Sequence, residues 1–118
     1  MKNLCIKNNI PTANFGAFSN FNDASNFIKK NGVPIVVKAD GLAAGKGVFV
    51  CKSKEEALKN TKEILNGKFE SSNKVVLEEF LEGEELSYFS IVDENSYNFF
   101  GSAQDHKRVG EGDTGPNT

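Results

Sequence analysis

The spacing of apolar and polar residues along the chain predicts helices interleaved with strands. Apolar side chains recur at helical intervals within residues 24–28, which indicates an amphipathic helix. Its expected capping residue is Asn22 or Asp23, and Gly32 is its expected end. The segment Ser53-Lys-Glu-Glu56 has the spacing of a capping box, so we expect a second helix to begin there.

Short apolar or alternating runs before, between and after these helices predict β-strands. The runs are Ala13–Phe18, Ile35–Ala39, Val48–Lys52, Lys74–Phe80, Glu85–Val92 and Tyr97–Ala103. We therefore expect an α+β fold with a first unit over residues 1–79 and a hinge over 80–83. A second unit over 84–118 is expected to begin as an antiparallel hairpin and to be incomplete.

Composition and charge argue against some classes of function. The 118 residues carry a net charge of −2 and no basic stripe, so nucleic acid is not an expected partner. No apolar stretch reaches the roughly 20 residues that span a bilayer, and no signal-peptide core is present at the N-terminus. Cys5 and Cys51 lack metal-ligand spacing, so we expect two buried free thiols. The prediction is a cytoplasmic protein with no membrane partner.

Both ends of the sequence predict an internal fragment. Residues 1–8 have the pattern of the last turns of a helix, without a capping residue before them. Residues 110–118 are predicted to be a glycine-rich loop that stops in mid-course. The rest of the same polypeptide is therefore an expected partner.

Candidate chemistry begins with the glycine-rich segment between the strands Ile35–Ala39 and Val48–Lys52. Its glycines and alanines leave the main-chain N–H groups open to a phosphate, while Lys38 and Lys46 add positive charge. The segment lacks the spacing and the Ser or Thr of a P-loop, and it leads into a strand instead of a helix. It predicts a strand–loop–strand flap over nucleotide phosphates, the general form in which protein kinases cover ATP. The alternative is a surface hairpin whose glycines serve only the turn.

A second candidate cluster is the acidic segment Glu78-Glu-Phe-Leu-Glu-Gly-Glu-Glu85, which joins the two predicted units. Main chain at such a crossover can offer a C=O and an N–H side by side, which matches the amino group and ring nitrogen of adenine. Phe80 and Leu81 are then apolar walls, and Glu85 can accept hydrogen bonds from both ribose hydroxyls. The alternative is a solvated acidic edge that protects a strand from aggregation.

The order of these motifs resembles that of the ATP-grasp superfamily, in which ATP lies between two α+β lobes. Within it, the chain resembles the glycinamide ribonucleotide synthetases, also called phosphoribosylamine–glycine ligases. The resemblance covers residues 10–118 and is carried by Lys38–Gly47, Glu78–Glu85, Gln104–Gly110 and Asp113–Thr118. The implied fold is the small ATP-grasp lobe followed by the beginning of the larger antiparallel lobe.

The resemblance also implies a role for each matching residue. Lys38 would contact the α- and β-phosphates, and Glu85 would hold the ribose. Glu78 and Leu81 would offer main-chain atoms to adenine, with Glu79 and Phe80 beside them. The loop that would close over the β- and γ-phosphates comprises Gly41, Leu42, Ala43, Ala44, Gly45, Lys46 and Gly47. The implied catalytic residues are Lys38, Asp105, His106, Lys107 and Arg108. The implied substrate-binding residues are Asp105, Lys107, Asp113, Asn117 and Thr118.

The implied reaction joins glycine to 5-phosphoribosylamine at the expense of ATP. Glycine carboxylate would take the γ-phosphoryl group to give glycyl phosphate, and the amine would then displace phosphate to give glycinamide ribonucleotide. Mg²⁺ or Mn²⁺ would bind through ligands outside this chain, so the chain alone is expected to be inactive. The alternatives are another ATP-grasp carboxylate–amine ligase, a nucleotide-binding module without chemistry, and a small α+β interaction domain.

Overall fold

The computed structural model describes residues 1–41, 43, 46–69, 73–112 and 114–117. The chain divides into two units, Met1–Leu81 and Glu82–Thr118. In order, the elements of the described part are α1 (Lys2–Lys7), β1 (Phe15–Phe18), α2 (Phe21–Asn31), β2 (Ile35–Ala39), β3 (Val48–Cys51), α3 (Lys54–Leu65), β4 (Val75–Glu79), β5 (Ser87–Val92), β6 (Tyr97–Ala103), β7 (Arg108–Gly110) and β8 (Thr114–Asn117).

Each of the two longer helices begins at a side-chain cap. The Ser53 side chain accepts a hydrogen bond from the Glu56 N–H, which confirms the predicted capping of α3. The prediction of Asn22 or Asp23 as the cap of α2 is wrong. The cap is Asn20, whose extended backbone lets its side-chain oxygen accept a hydrogen bond from the Asp23 N–H at 2.9 Å.

The first unit is built on an antiparallel four-stranded sheet in the order β1-β4-β2-β3. Strands β2 and β3 pair with Val36 opposite Val50 and Lys38 opposite Val48, so the predicted strand–glycine loop–strand hairpin is confirmed. Successive residues of a strand face opposite sides of a sheet, which makes one side of this sheet apolar. That side packs against α2 and α3 in a core formed by Ala24, Ile28, Ile35, Val37, Cys51, Ala57, Ile64, Val75 and Leu77.

The opposite side of the sheet, here called the groove face, carries Val36, Lys38, Val76 and Glu78. These residues alternate with the core residues of β2 and β4, so their side chains point away from α2 and α3.

Helix α1 contains no buried residue. Cys5 lies on it and is only partly buried, so the prediction of two buried thiols is wrong for Cys5 and right for Cys51.

The second unit contains two hairpins in the part that the structure describes. Strands β5 and β6 pair from Ser87 opposite Ala103 to Val92 opposite Tyr97. Strands β7 and β8 also pair, with Arg108 opposite Asn117, so the prediction of a glycine-rich loop is wrong for residues 114–117. These short strands lack an apolar alternation, so only their main-chain pairing defines them. Across the described ranges, no helix is long and apolar enough to cross a membrane.

Candidate functional site

A groove on the groove face brings together charged residues from three separate segments. Its volume is about 430 Å³, and its lining includes Lys2, Phe15, Lys38, Asp40, Val76 and Glu78. Small-molecule sites in proteins occupy roughly 300–1,000 Å³ and combine apolar walls with a few polar groups. In size and lining the groove therefore suits a ligand with both apolar and anionic parts.

Glu78 is the centre of the polar part of the groove. The residue is only 7% exposed. Its Oε2 atom lies 3.0 Å from the Lys38 ammonium and 3.2 Å from the Lys2 ammonium. A carboxylate this buried requires such partners, because an unpaired charge pays a large desolvation penalty. The side chain of Glu78 therefore faces the groove between two cations.

The main chain of Glu78 is placed differently from the expectation that it contacts adenine. Glu78 lies opposite Phe15 on β1 and opposite Val36 on β2, within the interior of the sheet. The N–H of Glu79 donates to the Asn14 carbonyl oxygen at 2.8 Å, and the Glu79 carboxylate accepts from the Asn14 N–H at 3.2 Å. The strand ends at Glu79, so the main chain leaves the sheet at the next two residues, Phe80 and Leu81.

Main-chain hydrogen bonds close the glycine loop as a tight hairpin, at the two ends of the loop that the structure describes. The Ala39 N–H donates to the Gly47 carbonyl oxygen at 2.9 Å, and the Lys46 N–H donates to the Ala43 carbonyl oxygen at 2.8 Å. A Cβ atom at Gly47 would lie 2.5 Å from the Cβ of Ala43 and 3.1 Å from that of Ala39. Gly47 is therefore required by close packing. Gly41 and Lys46 are exposed to solvent, and Leu42, Ala44 and Gly45 lie outside the described residues.

Lys2 is the groove residue that sequence reasoning missed. Its ammonium donates to Thr12 Oγ1 at 2.7 Å and lies 5.7 Å from the centre of the Phe15 ring, in addition to its contact with Glu78. No spacing rule connects a lysine near the beginning of the chain with a glutamate on β4. Lys2 lies on α1 and Glu78 on β4, so only the tertiary fold brings them together, and the sequence alone carried no signal for this contact.

In the second unit, the structure pairs two residues that the sequence assigned to different ligands. The Lys107 ammonium lies 2.5 Å from Glu85 Oε2 and 4.0 Å from Asp105 Oδ2, and all three side chains are largely exposed. His106 is exposed, and Arg108 lies on β7 opposite Asn117. Asp113 and Thr118 lie outside the described residues, as does the side chain of Asn117. Within the described ranges, no three acidic, histidine or cysteine side chains are grouped to hold a metal ion.

The four-stranded antiparallel sheet, with two helices on one side and a lysine–glycine hairpin beside a groove on the other, belongs to an ATP-grasp domain, as the family model and a solved relative show. This confirms the predicted fold class. The chain belongs to the family described as phosphoribosylglycinamide synthetase, ATP-grasp (A) domain, whose model matches residues 1–118.

Individual relatives agree with this assignment. The chain is 57% identical over 120 residues to a chloroplastic phosphoribosylamine–glycine ligase of Arabidopsis thaliana, covering all of this chain and 23% of that protein. It is 54% identical to a phosphoribosylamine–glycine ligase of Brucella melitensis, covering 99% of this chain and 28% of that protein. The crystal structure of a phosphoribosylamine–glycine ligase from Thermotoga maritima superposes with a TM-score of 0.86 at 38% identity, covering 99% of this chain and 30% of that one. The chain thus spans about a quarter of the length of these curated relatives.

Proposed function

We propose that this domain supplies part of the ATP site of a phosphoribosylamine–glycine ligase. The observation that carries the proposal is the family match over the whole chain, together with the groove that Lys38 and Glu78 line beside the hairpin of β2 and β3. The proposed reaction consumes ATP, glycine and 5-phosphoribosylamine. Its products are glycinamide ribonucleotide, ADP and phosphate.

The groove residues support an assignment of ATP contacts. Lys38 lines the groove at the end of β2, next to the glycine hairpin, and we assign it to the α- and β-phosphates. Residues 41–47 are assigned to the β- and γ-phosphates, because a loop of small residues allows main-chain N–H groups to approach oxygen atoms. For adenine we assign the main chain from Glu79 to Leu81, since this is where the chain leaves the sheet. Glu85 is assigned to the ribose.

The proposed chemistry proceeds in two displacement steps. An oxygen of the glycine carboxylate attacks the γ-phosphorus, and the bond to the β,γ-bridging oxygen breaks, so that ADP leaves and glycyl phosphate forms. The amine nitrogen of 5-phosphoribosylamine then attacks the acyl carbon, phosphate leaves, and the nitrogen loses a proton as the amide forms. Positioning and charge neutralisation dominate phosphoryl transfer, which suits lysines and main-chain N–H groups. The loop must also exclude water from the acyl phosphate.

The acceptor side and the metal remain further parts of the proposal. We assign Asp105, His106 and Arg108 to the acceptor substrates, together with Lys107, Asp113, Asn117 and Thr118. Mg²⁺ or Mn²⁺ is the proposed metal for such a phosphoryl transfer. We propose that its ligands lie outside this chain. A cytoplasmic location is also proposed, although the Arabidopsis relative is chloroplastic.

The direct test is product analysis with the full-length natural protein that contains these residues. The protein is incubated with ATP, Mg²⁺, glycine and freshly prepared 5-phosphoribosylamine, and glycinamide ribonucleotide and ADP are measured by mass spectrometry. Equal amounts of both products are expected, with little turnover when another amino acid replaces glycine. ADP formation with a different acid or amine would favour another carboxylate–amine ligase. ATP binding without any turnover would favour a non-catalytic module.

A further inference from the structure

The strongest unassigned feature is the lysine at the beginning of helix α1. The Lys2 side chain is only 26% exposed although α1 buries no residue of its own. Its ammonium has three neighbours: the Thr12 hydroxyl, the Phe15 ring and the Glu78 carboxylate. Two of them, Phe15 and Glu78, line the groove, as does Lys2 itself.

We propose that Lys2 is a positioning residue of the ATP site, which acts on Lys38 through the shared carboxylate of Glu78. This inference rests on the proposed function, because it assumes that Lys38 meets the phosphates of ATP. Lys2 and Lys38 contact the same oxygen atom, Oε2, at 3.2 and 3.0 Å. The two ammonium nitrogens are therefore no farther apart than the sum of those distances.

In this cluster one negative charge is divided between two positive charges. If Lys38 were the sole partner of Glu78, the carboxylate would neutralise it and hold it back from a phosphate. With Lys2 on the same oxygen, the cluster of two lysines and one glutamate retains an excess of one positive charge beside the groove. Glu78 is almost buried, so this excess is less screened than it would be in water. Asp40 also lines the groove but is exposed to solvent, which weakens its opposing effect.

The competing interpretation is that Lys2 only tethers the exposed helix α1 to the sheet. A tether would stabilise the fold without distinguishing between ligands. A charge-positioning residue would instead affect ligands that carry phosphates and leave the nucleoside alone unaffected. A comparison of ATP with adenosine therefore separates the two interpretations.

The experiment measures equilibrium dissociation constants for ATP and adenosine by calorimetry in the full-length protein. Lys2→Met removes the charge and keeps much of the length, and Lys2→Arg keeps the charge. Lys7→Met is the matched control, because Lys7 is an exposed lysine in the last turn of the same helix. We expect Lys2→Met to weaken ATP binding about five- to tenfold and to leave adenosine binding unchanged. Lys2→Arg and Lys7→Met are expected to remain within about twofold of the wild type for both ligands.

A double-mutant cycle tests whether the effect passes through Glu78. In a Glu78→Gln background, Lys2→Met should change ATP binding by less than about twofold, because the shared carboxylate is already absent. An undiminished effect in that background would overturn the positioning role. Unchanged ATP binding in the Lys2→Met single variant would also overturn it. An equal loss of affinity for adenosine would overturn it as well.

Labelling of the wild-type protein supplies a check that does not depend on folding of the variants. Brief acetylation followed by peptide mapping compares Lys2 with Lys7, with and without ATP. We expect ATP to slow acetylation of Lys2 but not of Lys7, and equal rates at Lys2 in both conditions would contradict the inference. A wild-type protein that fails to bind ATP at all would instead overturn the proposed function, and the inference with it.

Discussion

The ammonium of Lys38 lies 3.0 Å from the carboxylate of Glu78, although 40 residues separate them in the chain. The contact follows from the register of β2 and β4. Lys38 is opposite Val76, so Glu78 is the diagonal neighbour on the same face of the sheet. The lysine assigned to the phosphates is thus oriented by a nearly buried partner.

The first prediction concerns the charge at Lys38. Lys38→Ala in the full-length protein should raise the KM for ATP or lower kcat at least tenfold, a loss of about 1.4 kcal/mol of transition-state stabilisation. The cause is the loss of a cation that neutralises phosphate charge. Steady-state kinetics with ATP as the varied substrate measure the effect. Lys30→Ala, which alters an exposed lysine near the end of α2, is the control and should leave both constants unchanged. A wild-type rate for Lys38→Ala would remove this lysine from the phosphate site.

The second prediction concerns the packing of the glycine hairpin. A Cβ at Gly47 would meet the Ala43 Cβ at 2.5 Å, so Gly47→Ala forces one end of the loop to move. Such overpacking costs about 1–3 kcal/mol, and we expect the KM for ATP to rise about five- to twentyfold. At Gly101, on β6, an added Cβ meets no described atom within 4 Å. Gly101→Ala is therefore the matched control, and similar kinetics for the two variants would argue against a role for the hairpin.

Local patterns predicted most of the first unit, because its elements depend on neighbouring residues. Strand β2 has the predicted bounds, since an apolar run lies between Pro34 and the glycine loop. The contact of Glu78 with Lys2 was not predictable in this way. It depends on where helix α1 lies against the sheet, and no local pattern encodes a contact between this helix and β4. The cap of α2 was placed too late because several polar residues near its beginning are all acceptable caps, and only backbone conformation selects Asn20.

The third prediction separates these candidate caps. Asn20→Ala should lower the free energy of unfolding by about 1 kcal/mol, because it removes the acceptor for the Asp23 N–H. Asn22→Ala changes an exposed position within the first turn of α2 and should stay within about 0.5 kcal/mol of the wild type. Urea denaturation of the 118-residue chain, followed by circular dichroism, measures both. A larger loss for Asn22→Ala than for Asn20→Ala would reverse the assignment of the cap.

The fourth prediction concerns the ion pair of Lys107 and Glu85 in the second unit. The Lys107 ammonium lies 2.5 Å from Glu85. Removing the ammonium should therefore leave the carboxylate assigned to the ribose without a partner that orients it. We expect Lys107→Ala to raise the KM for ATP about two- to fourfold, the scale of an exposed ion pair. Kinetics with each substrate varied in turn give the decisive comparison. If only the KM for 5-phosphoribosylamine rises, Lys107 acts on the acceptor, as the family resemblance implies. Its ion pair with Glu85 would then have no effect on ATP binding.

The fifth prediction concerns a buried hydroxyl in α3. Thr61 is fully buried, and its Oγ1 atom has no hydrogen-bond partner among the described residues. An unsatisfied buried polar group costs about 1–3 kcal/mol, and valine has nearly the same shape without that group. Thr61→Val should therefore raise the free energy of unfolding by about 1 kcal/mol in urea denaturation of the 118-residue chain. Thr12→Val is the matched control, because the Thr12 hydroxyl accepts a hydrogen bond from Lys2. Removing this hydroxyl should not raise the free energy of unfolding. A Thr61→Val variant that is less stable than the wild type would show that the hydroxyl has a partner in solution.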